Sequence, residues 1–372
     1  APSTPAETFD LLSLEPLHPG YVFGAVDSDA VEIVAPAAPP TASTFPDRLV
    51  DAVGNVPIAV NGQNDDPAAA RAQEFEQGLN VLRGIDDVNL VCIPDAAANP
   101  DRVSIQQAMI AHCLAPKLQD RFAILDSVLG ALPSGPGSVE EQRQTVESER
   151  GFAALYYPWL RVREPIPPTR PRPPLPTTIL VPPSGHIAGV FARTDNDRGV
   201  HKAPANTPVR GALGVERVLS DGQHGPLNLL GINVLRIFPE SAQVMVWGAR
   251  TTVDPDITDW LYVNVRRLML FIEESIEEGI RFAVFEPNNL ALWQKLKRTI
   301  SDFLTRVWRD GALFGAKPEE AFYVRIDEAL NPPASRAIGR LFIEIGVAPV
   351  RPAEFIIVRI GLFDRGSEVV EG

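Results

Sequence analysis

The residue types that could support hydrolysis gather between residues 184 and 201. They are one serine, two histidines and two aspartates: Ser184, His186, His201, Asp195 and Asp197. A hydrolase needs such groups to converge within hydrogen-bond reach of one another. The chain contains neither the GxSxG nucleophile elbow nor the HExxH zinc sequence. A soluble metal-dependent hydrolase that uses Asp195, Asp197 and His201 is one hypothesis.

The composition of the same segment favours a structural role. Residues 194–206 read TDNDRGVHKAPAN, and Asn, Asp, Gly and Pro at this density are typical of a tight, hydrogen-bonded loop. We therefore predict a structural loop here. An interface loop and a catalytic or metal site remain as alternatives.

The pair His112 and Cys113 lies on the apolar face of a predicted helix at 101–114. This placement favours a buried, hydrogen-bonded histidine over a metal ligand. No glycine-rich phosphate loop is present. We therefore predict no catalytic, cofactor-binding or metal-binding residues, and a protein that is not an enzyme.

A basic stripe is predicted on the helix at 290–309. At about 100° per residue, seven apolar side chains gather on one side of it: Leu292, Trp293, Leu296, Ile300, Phe303, Leu304 and Val307. On the opposite side lie Lys295, Arg298, Arg306 and Arg309, with Asp302 as the one acid among them. The ordinary interpretation is a solvated face, or one paired with acids of a neighbouring subunit.

The C-terminal segment at 354–363 is predicted to be a strand that is covered on both faces. Its apolar residues do not alternate with polar ones: Phe355, Ile356, Ile357, Val358, Ile360, Leu362 and Phe363. In strands with one solvent-exposed face, apolar and polar residues do alternate. A strand so close to a chain end could add to the sheet of another subunit. The alternative is an internal strand of the same subunit.

The bulk composition excludes several classes of protein. The chain has 372 residues, is 45% hydrophobic and carries a net charge of -13. That charge argues against nucleic acid or an anionic membrane as the main partner. No apolar run is long enough to insert into a membrane. Two cysteines at this length exclude a disulfide scaffold and favour a reducing, cytoplasmic compartment.

The fold class predicted from the elements is mixed α/β (α+β), in a two-part subunit. Apolar strand runs alternate with helical segments between 67 and 163, which predicts parallel strands with crossover connections. Nine prolines then mark 164–183 as an extended connection. The predicted divisions are an irregular N-terminal region at 1–66, an α/β domain at 67–163, the connection at 164–183 and a C-terminal domain at 184–372.

A helix is predicted at 255–278 in the second half. Its apolar residues recur at three- and four-residue spacing, and its charged pairs should form a solvated or ion-paired face: Arg266 and Arg267, Glu273 and Glu274, Glu277 and Glu278. Trp247, Trp260 and Phe285 are the expected core aromatics, because such rings bury large apolar areas.

From about residue 79 the chain resembles the contractile tail sheath proteins of phages, pyocin-like particles and related injection systems. The resemblance covers most of 79–361, in the order in which the family has these stretches: GLNVLRGIDDVNLVCIPD, DRFAILD, AALYYPWLRV, VPPSGHIAGVFARTDNDRGVHKAPAN, LNLLGINVLRIFP, VWGARTT, WLYVNVRRLMLFIEESIEEG, FAVFEPNNLALWQKLKRTISDFL, WRDGALFGAKPEEAFYV and IEIGVAPVRPAEFIIVRIG. The family's PGVYVEE-like arm has only a faint echo at 18–22.

The resemblance implies a structural subunit with itself as its main partner. Sheath subunits stack as six-fold rings around an inner tube, join baseplate and cap proteins, and shorten to drive the tube through a target envelope. The family has no catalytic residues. Within this framework the basic stripe is expected to face the tube, and the 354–363 strand is expected to join neighbouring subunits. A specialised paralogue that forms a single ring near the baseplate or cap is the alternative.

Overall fold

The computed structural model describes residues 70–115, 118–164, 178–238 and 243–355, together with the backbone of short strands at 31–32, 49–51, 57–58, 362–364 and 367–369. The chain divides into two compact units. One comprises Ala1–Ala70 with Arg163–Ile179, and the other comprises Arg71–Val162 with Leu180–Gly372.

The first unit contains a small antiparallel sheet. Its strands are β1 (Val31–Glu32), β2 (Leu49–Asp51) and β3 (Pro57–Ile58), in that spatial order.

The second unit is built on a six-stranded sheet in the order β4-β5-β6-β11-β12-β9. These strands are β4 (Leu90–Cys92), β5 (Phe122–Asp126), β6 (Ala153–Tyr157), β9 (Thr207–Pro208), β11 (Ile232–Ile237) and β12 (Val244–Trp247). The first four in spatial order pair in parallel, as the strand-helix alternation predicts. β12 and β9 extend the sheet with antiparallel pairs. The sheet thus takes strands from both sides of the proline-rich connection.

Helices cover this sheet. They are α1 (Ala72–Leu82), α2 (Arg102–Leu114), α3 (Val139–Thr145), α4 (Ser184–Arg198) and α5 (Asp221–Leu229). A second, three-stranded sheet has the order β10-β7-β8, with β7 (Leu160–Arg163), β8 (Thr178–Val181) and β10 (Ala212–Val215). All residues of β5 and β6 are buried, because strands covered on both faces read as continuous apolar runs.

The C-terminal part packs around a helical hairpin. Its elements are α6 (Val263–Gly279), α7 (Leu290–Arg309), α8 (Pro318–Ala321), β13 (Phe322–Arg325), α9 (Pro333–Ala337) and β14 (Glu344–Val347). Leu268 and Ile272 of α6 pack against Ile300 and Leu304 of α7. β13 and β14 form a two-stranded antiparallel sheet. β15 (Leu362–Asp364) and β16 (Ser367–Val369) pair with each other near the C-terminus.

Three sequence-based expectations for the second half of the chain need correction. The helix predicted from residue 255 begins at Val263, because the preceding residues form turns and a short 3-10 helix. Trp247 and Trp260 are half-buried instead of central to the core. Phe285 is fully exposed, and its φ of 67° places it in a turn between α6 and α7.

Within the described ranges, every helix falls short of the length and apolar character that crossing a membrane requires.

Candidate assembly surface

Helix α7 has one buried and one exposed face, as its sequence pattern predicts. Six of the seven predicted core residues are buried, and Phe303 is half-buried against Phe271 at a ring distance of 6.0 Å. The basic stripe, defined as Lys295, Arg298, Arg306 and Arg309, is exposed along its whole length, and so is Asp302.

Both ends of α7 are fixed by specific hydrogen bonds. The side chain of Asn289 accepts from the backbone N–H of Leu292 at 3.0 Å, which satisfies a donor that the first turn leaves free. At the other end Gly311 adopts a φ of 81°. The N–H groups of Gly311 and Ala312 then donate to the carbonyls of Trp308 and Val307, a Schellman closure. The stripe therefore lies on a rigid helix.

The stripe's charges are available for an outside partner. Among the described residues, none of its four side chains lies within 4.0 Å of a carboxylate. Lys295 places its ammonium 4.2 Å from the centre of the Phe282 ring, a cation–π contact that keeps the charge at the surface. The arrangement forms a cationic ridge on a chain of net charge -13.

Three of the five hydrolase candidates lie close together, but one of them, Asp195, is already bound to an arginine. Asp195, Asp197 and His201 line a cleft of about 740 Å³. The Asp195 carboxylate accepts a two-pronged bond from Arg267, at 2.9 and 2.6 Å, and so is already neutralised. Burial lowers the pKa of His201. The described residues contain no group of three His, Cys, Asp or Glu side chains that could hold a metal ion.

Ser184 and His186 lie at the other end of α4, so the five candidate residues do not converge. The backbone N–H of Ser184 donates to the Asp126 carboxylate at 2.6 Å. Residues 194–198, predicted as part of a loop, belong instead to this helix. The helix continues to Arg198, with Thr194 buried and Asp195 bound to Arg267, and Gly199 ends it with a φ of 90°.

The arginine pair of α6 is more buried than the sequence indicates. Arg267 has its ion pair with Asp195, and Arg266 lies 3.6 Å from Glu273, which fits the ion-paired interpretation. Both arginines are nevertheless buried. The guanidinium of Arg266 lies over two aromatic rings, 4.2 Å from the Trp260 ring centre and 4.5 Å from that of Phe152. This face is therefore not solvated at its N-terminal end.

The predicted burial of His112 and Cys113 is confirmed. Both side chains are almost fully enclosed, and the His112 Nε2 atom lies 2.9 Å from Arg121 Nη1. Burial, and then the charge of Arg121, lowers the pKa of His112. A neutral imidazole that accepts this hydrogen bond is part of the core.

The C-terminal segment differs from the continuous strand predicted at 354–363. Residues 351–355 have no strand structure, and Phe355 is exposed. Ile356, Ile357, Val358 and Ile360 lie outside the described residues. Leu362 and Phe363 belong to β15, which pairs with β16 of the same chain. At this point the Glu354 side chain turns inward and binds other side chains.

Glu354 forms a cluster that the sequence pattern does not reveal. Its carboxylate accepts hydrogen bonds from Asn228, Arg250 and Tyr262 at 2.6 to 3.2 Å, and we call these four residues the Glu354 clamp. Burial by itself would raise the pKa of Glu354, but these hydrogen bonds, led by those from Arg250, hold it below its ordinary value. The carboxylate therefore stays ionised at neutral pH. Its partners lie 92 to 126 residues away along the chain, so no local signal indicates the cluster.

The sheet of β13 and β14 provides open edges. It has two strands, so among the described strands each has a neighbour on one side only. Unpaired edges of this kind present free N–H and C=O groups to another strand.

Family comparison decides what this surface belongs to. The model of the phage tail sheath protein central domain matches residues 68–252, and that of the phage tail sheath C-terminal domain matches residues 256–363. The two matches are consecutive and together span most of the chain. The chain belongs to the phage tail sheath protein family.

Individual relatives agree with this placement. The sheath chain is 31% identical over 181 residues to the tail sheath protein of Burkholderia phage BcepMu, an alignment that covers 47% of this chain and 37% of that protein. The alignment thus spans less than half the length of that curated relative.

Two solved structures resemble the sheath chain over most of its length. The sheath complex of the extracellular contractile injection system PVC, in its contracted state, is 32% identical with a TM-score of 0.64, over 78% of this chain and 74% of that one. A chain of the six-fold symmetrised baseplate of the anti-feeding prophage is 31% identical with a TM-score of 0.63, over 82% and 83%.

Proposed function

We propose that this chain is a structural subunit of a contractile tail sheath. It polymerises as stacked six-fold rings around an inner tube, and the polymer contracts to drive the tube through a target envelope. The observation that carries the proposal is the consecutive match to both sheath domains. Similarity to a sheath complex in the contracted state supports the contraction step. Assembly in the cytoplasm fits the two free cysteines, of which Cys113 is buried.

The work of such a subunit is mechanical, so we assign it no catalytic residue and no cofactor. The rival hydrolase has little support from the cleft near residue 195. Its central carboxylate is bound to Arg267, and Ser184 and His186 lie at the far end of α4.

The basic stripe is our candidate for the tube-facing surface. A sheath must hold its tube loosely enough to let it slide, and screened charge contacts suit that task better than a large apolar patch. An exposed ion pair contributes only about 0–1 kcal/mol, but identical subunits would repeat the contact along the tube. The rigid capping of α7 supports this role, because it presents the four cations in a fixed row.

The C-terminal segment is our candidate for the link between subunits. We propose that residues beyond Glu354 leave one subunit and add to an open edge of the β13–β14 sheet of another. Main-chain hydrogen bonds would then supply affinity, as in other cases of strand addition. The exposed Phe355, immediately after the clamp, supports an exit at this point.

Baseplate and cap proteins are proposed as further partners. A specialised single-ring paralogue close to the baseplate is the second candidate function, which the similarity to the anti-feeding prophage baseplate chain favours.

Copy number in purified particles tests both candidates. Quantitative mass spectrometry measures the number of copies of this chain relative to the inner tube protein. A sheath subunit should be present in enough copies for many rings per particle. A single ring per particle would instead identify the paralogue. Particles that lack this chain altogether would refute both assignments.

A further inference from the structure

The side chain of Glu354 is held by hydrogen bonds near the end of the continuously described chain. Arg250 donates to it from Nε and Nη2, at 2.9 and 2.7 Å, while Asn228 and Tyr262 donate at 2.6 and 2.9 Å. The carboxylate is 16% exposed and the arginine 7%. A two-pronged arginine–carboxylate pair that is this sheltered is a strong and directional contact.

The clamp is tied directly to the central sheet. The backbone N–H of Arg250 donates to the Asn233 side chain at 2.7 Å. The amide of Asn233 donates in turn to the carbonyls of Arg250 and Leu155, at 2.7 and 3.2 Å. Asn233 is fully buried in β11, and Leu155 belongs to β6. A continuous series of hydrogen bonds therefore runs from the middle of the sheet to Glu354.

The chain on either side of Glu354 differs in its attachments, and the Asn264 side chain also donates to the carbonyl of Val350 at 3.2 Å. Upstream, backbone bonds attach Ala348 to Ala321 and Val350 to Ala312. Downstream, Phe355 is 66% exposed. The clamp also crosses the two matched family domains, since Asn228 and Arg250 belong to the central one and Glu354 belongs to the C-terminal one.

We infer that Glu354 is a positioning residue for assembly. It fixes the point at which the C-terminal segment leaves the subunit, and it transmits tension on that segment to the central sheet. The inference rests on the proposed function, because tension arises only if the segment joins another subunit. In the free subunit the clamp sets how tightly residues 348–355 are held.

Hydrogen exchange on the full chain tests the local part of the inference. Glu354→Gln keeps the shape but turns an NH₂ group toward the donors. Hydrogen exchange of the Val350 backbone amide should then accelerate at least about tenfold, while the exchange rates of the β5 and β6 amides stay unchanged. Tyr262→Phe removes one hydrogen bond and should give a smaller acceleration, which keeps the test valid if the first variant does not fold. Glu278→Gln is the matched control, because Glu278 pairs with Arg281 at the surface of α6 and lies outside both the clamp and the β13–β14 sheet.

Tube formation by the same variants tests the role in assembly. We expect Glu354→Gln to lower the yield of tubes at least about tenfold, and Glu278→Gln to leave it unchanged. The inference would be overturned if the Val350 amide exchanged at the wild-type rate in both Glu354→Gln and Tyr262→Phe. Normal tubes from Glu354→Gln would also overturn it. A truncation after Phe355 keeps the clamp and removes the terminal segment. If that truncation forms normal tubes, the proposed strand exchange fails; if it forms none while Glu354→Gln assembles normally, only the clamp inference fails.

Discussion

At the residue scale, the basic stripe places four cations on the exposed face of α7. The helical pattern predicts the exposed positions of all four cations, and α7 places each of them at the surface. Its partner cannot be deduced in the same way, because charge on a surface does not identify what neutralises it.

Reversing two charges of the stripe tests the proposed tube contact. Arg298→Glu with Arg306→Glu should weaken co-assembly with the tube in the extended state about tenfold per subunit, since two contacts of about 0–1 kcal/mol each become repulsive. Wild-type co-assembly should itself weaken with salt, because the screening length falls from about 10 Å at 0.1 M to about 3 Å at 1 M. Co-sedimentation with tubes measures both effects.

Lys297→Glu is the matched control for this prediction. Lys297 is exposed on α7 but lies outside the stripe, so its reversal should leave co-assembly unchanged. Unchanged binding of the double variant at low salt would contradict the tube contact.

The buried carboxyl of Asp126 should make the stability of the subunit depend on pH, whether or not the subunit is assembled. Burial raises the pKa of this carboxyl to about 7, and its Oδ2 atom has no hydrogen-bond partner among the residues that the structure describes. The folded state therefore binds a proton that the unfolded state has released above about pH 4. The resulting stabilisation is full below about pH 4 and is lost as the pH rises to about 7.

Asp126→Asn should remove this dependence. The amide oxygen can still accept from Ser184, and no charge is buried at any pH. We expect the wild-type free energy of unfolding to fall by about 2–4 kcal/mol between pH 4 and pH 8 relative to the variant. Urea denaturation at several pH values measures the difference, and parallel curves for the two proteins would contradict the assignment.

At the element scale, local patterns predict some elements well and fail where distant contacts decide. β5, β6 and α7 follow from apolar runs and helical spacing. The loop predicted at 194–206 is wrong in its first turn, where Thr194 is buried in α4 and Asp195 binds the distant Arg267. The Glu354 clamp could not be predicted, since its closest partner along the chain is 92 residues away.

The terminal segment gives a prediction at this scale. Truncation after Phe355 should leave a folded, soluble subunit, because the clamp and the β13–β14 sheet remain intact. It should no longer form tubes, because the proposed exchange strand is gone. Thermal unfolding together with electron microscopy measures both properties. Truncation after Pro352 also deletes the clamp and should additionally loosen residues 348–352, and tubes of normal length from either truncation would rule out strand exchange.

At the scale of the whole molecule, the second unit combines a mostly parallel sheet, with buried central strands, and a helical hairpin that carries an exposed cationic face. Such a sheet is typical of a rigid body, and such a cationic face is typical of a surface that binds a partner. Their combination in one chain, with a clamp between the two family domains, fits a subunit that must keep its shape while its contacts change.

Electron microscopy of the purified full chain shows whether the subunit polymerises. We expect six-fold rings or helical tubes, with the basic stripe on the inner wall and the C-terminal segment crossing between subunits. Monodisperse monomers at all concentrations, with and without the inner tube protein, would contradict this expectation.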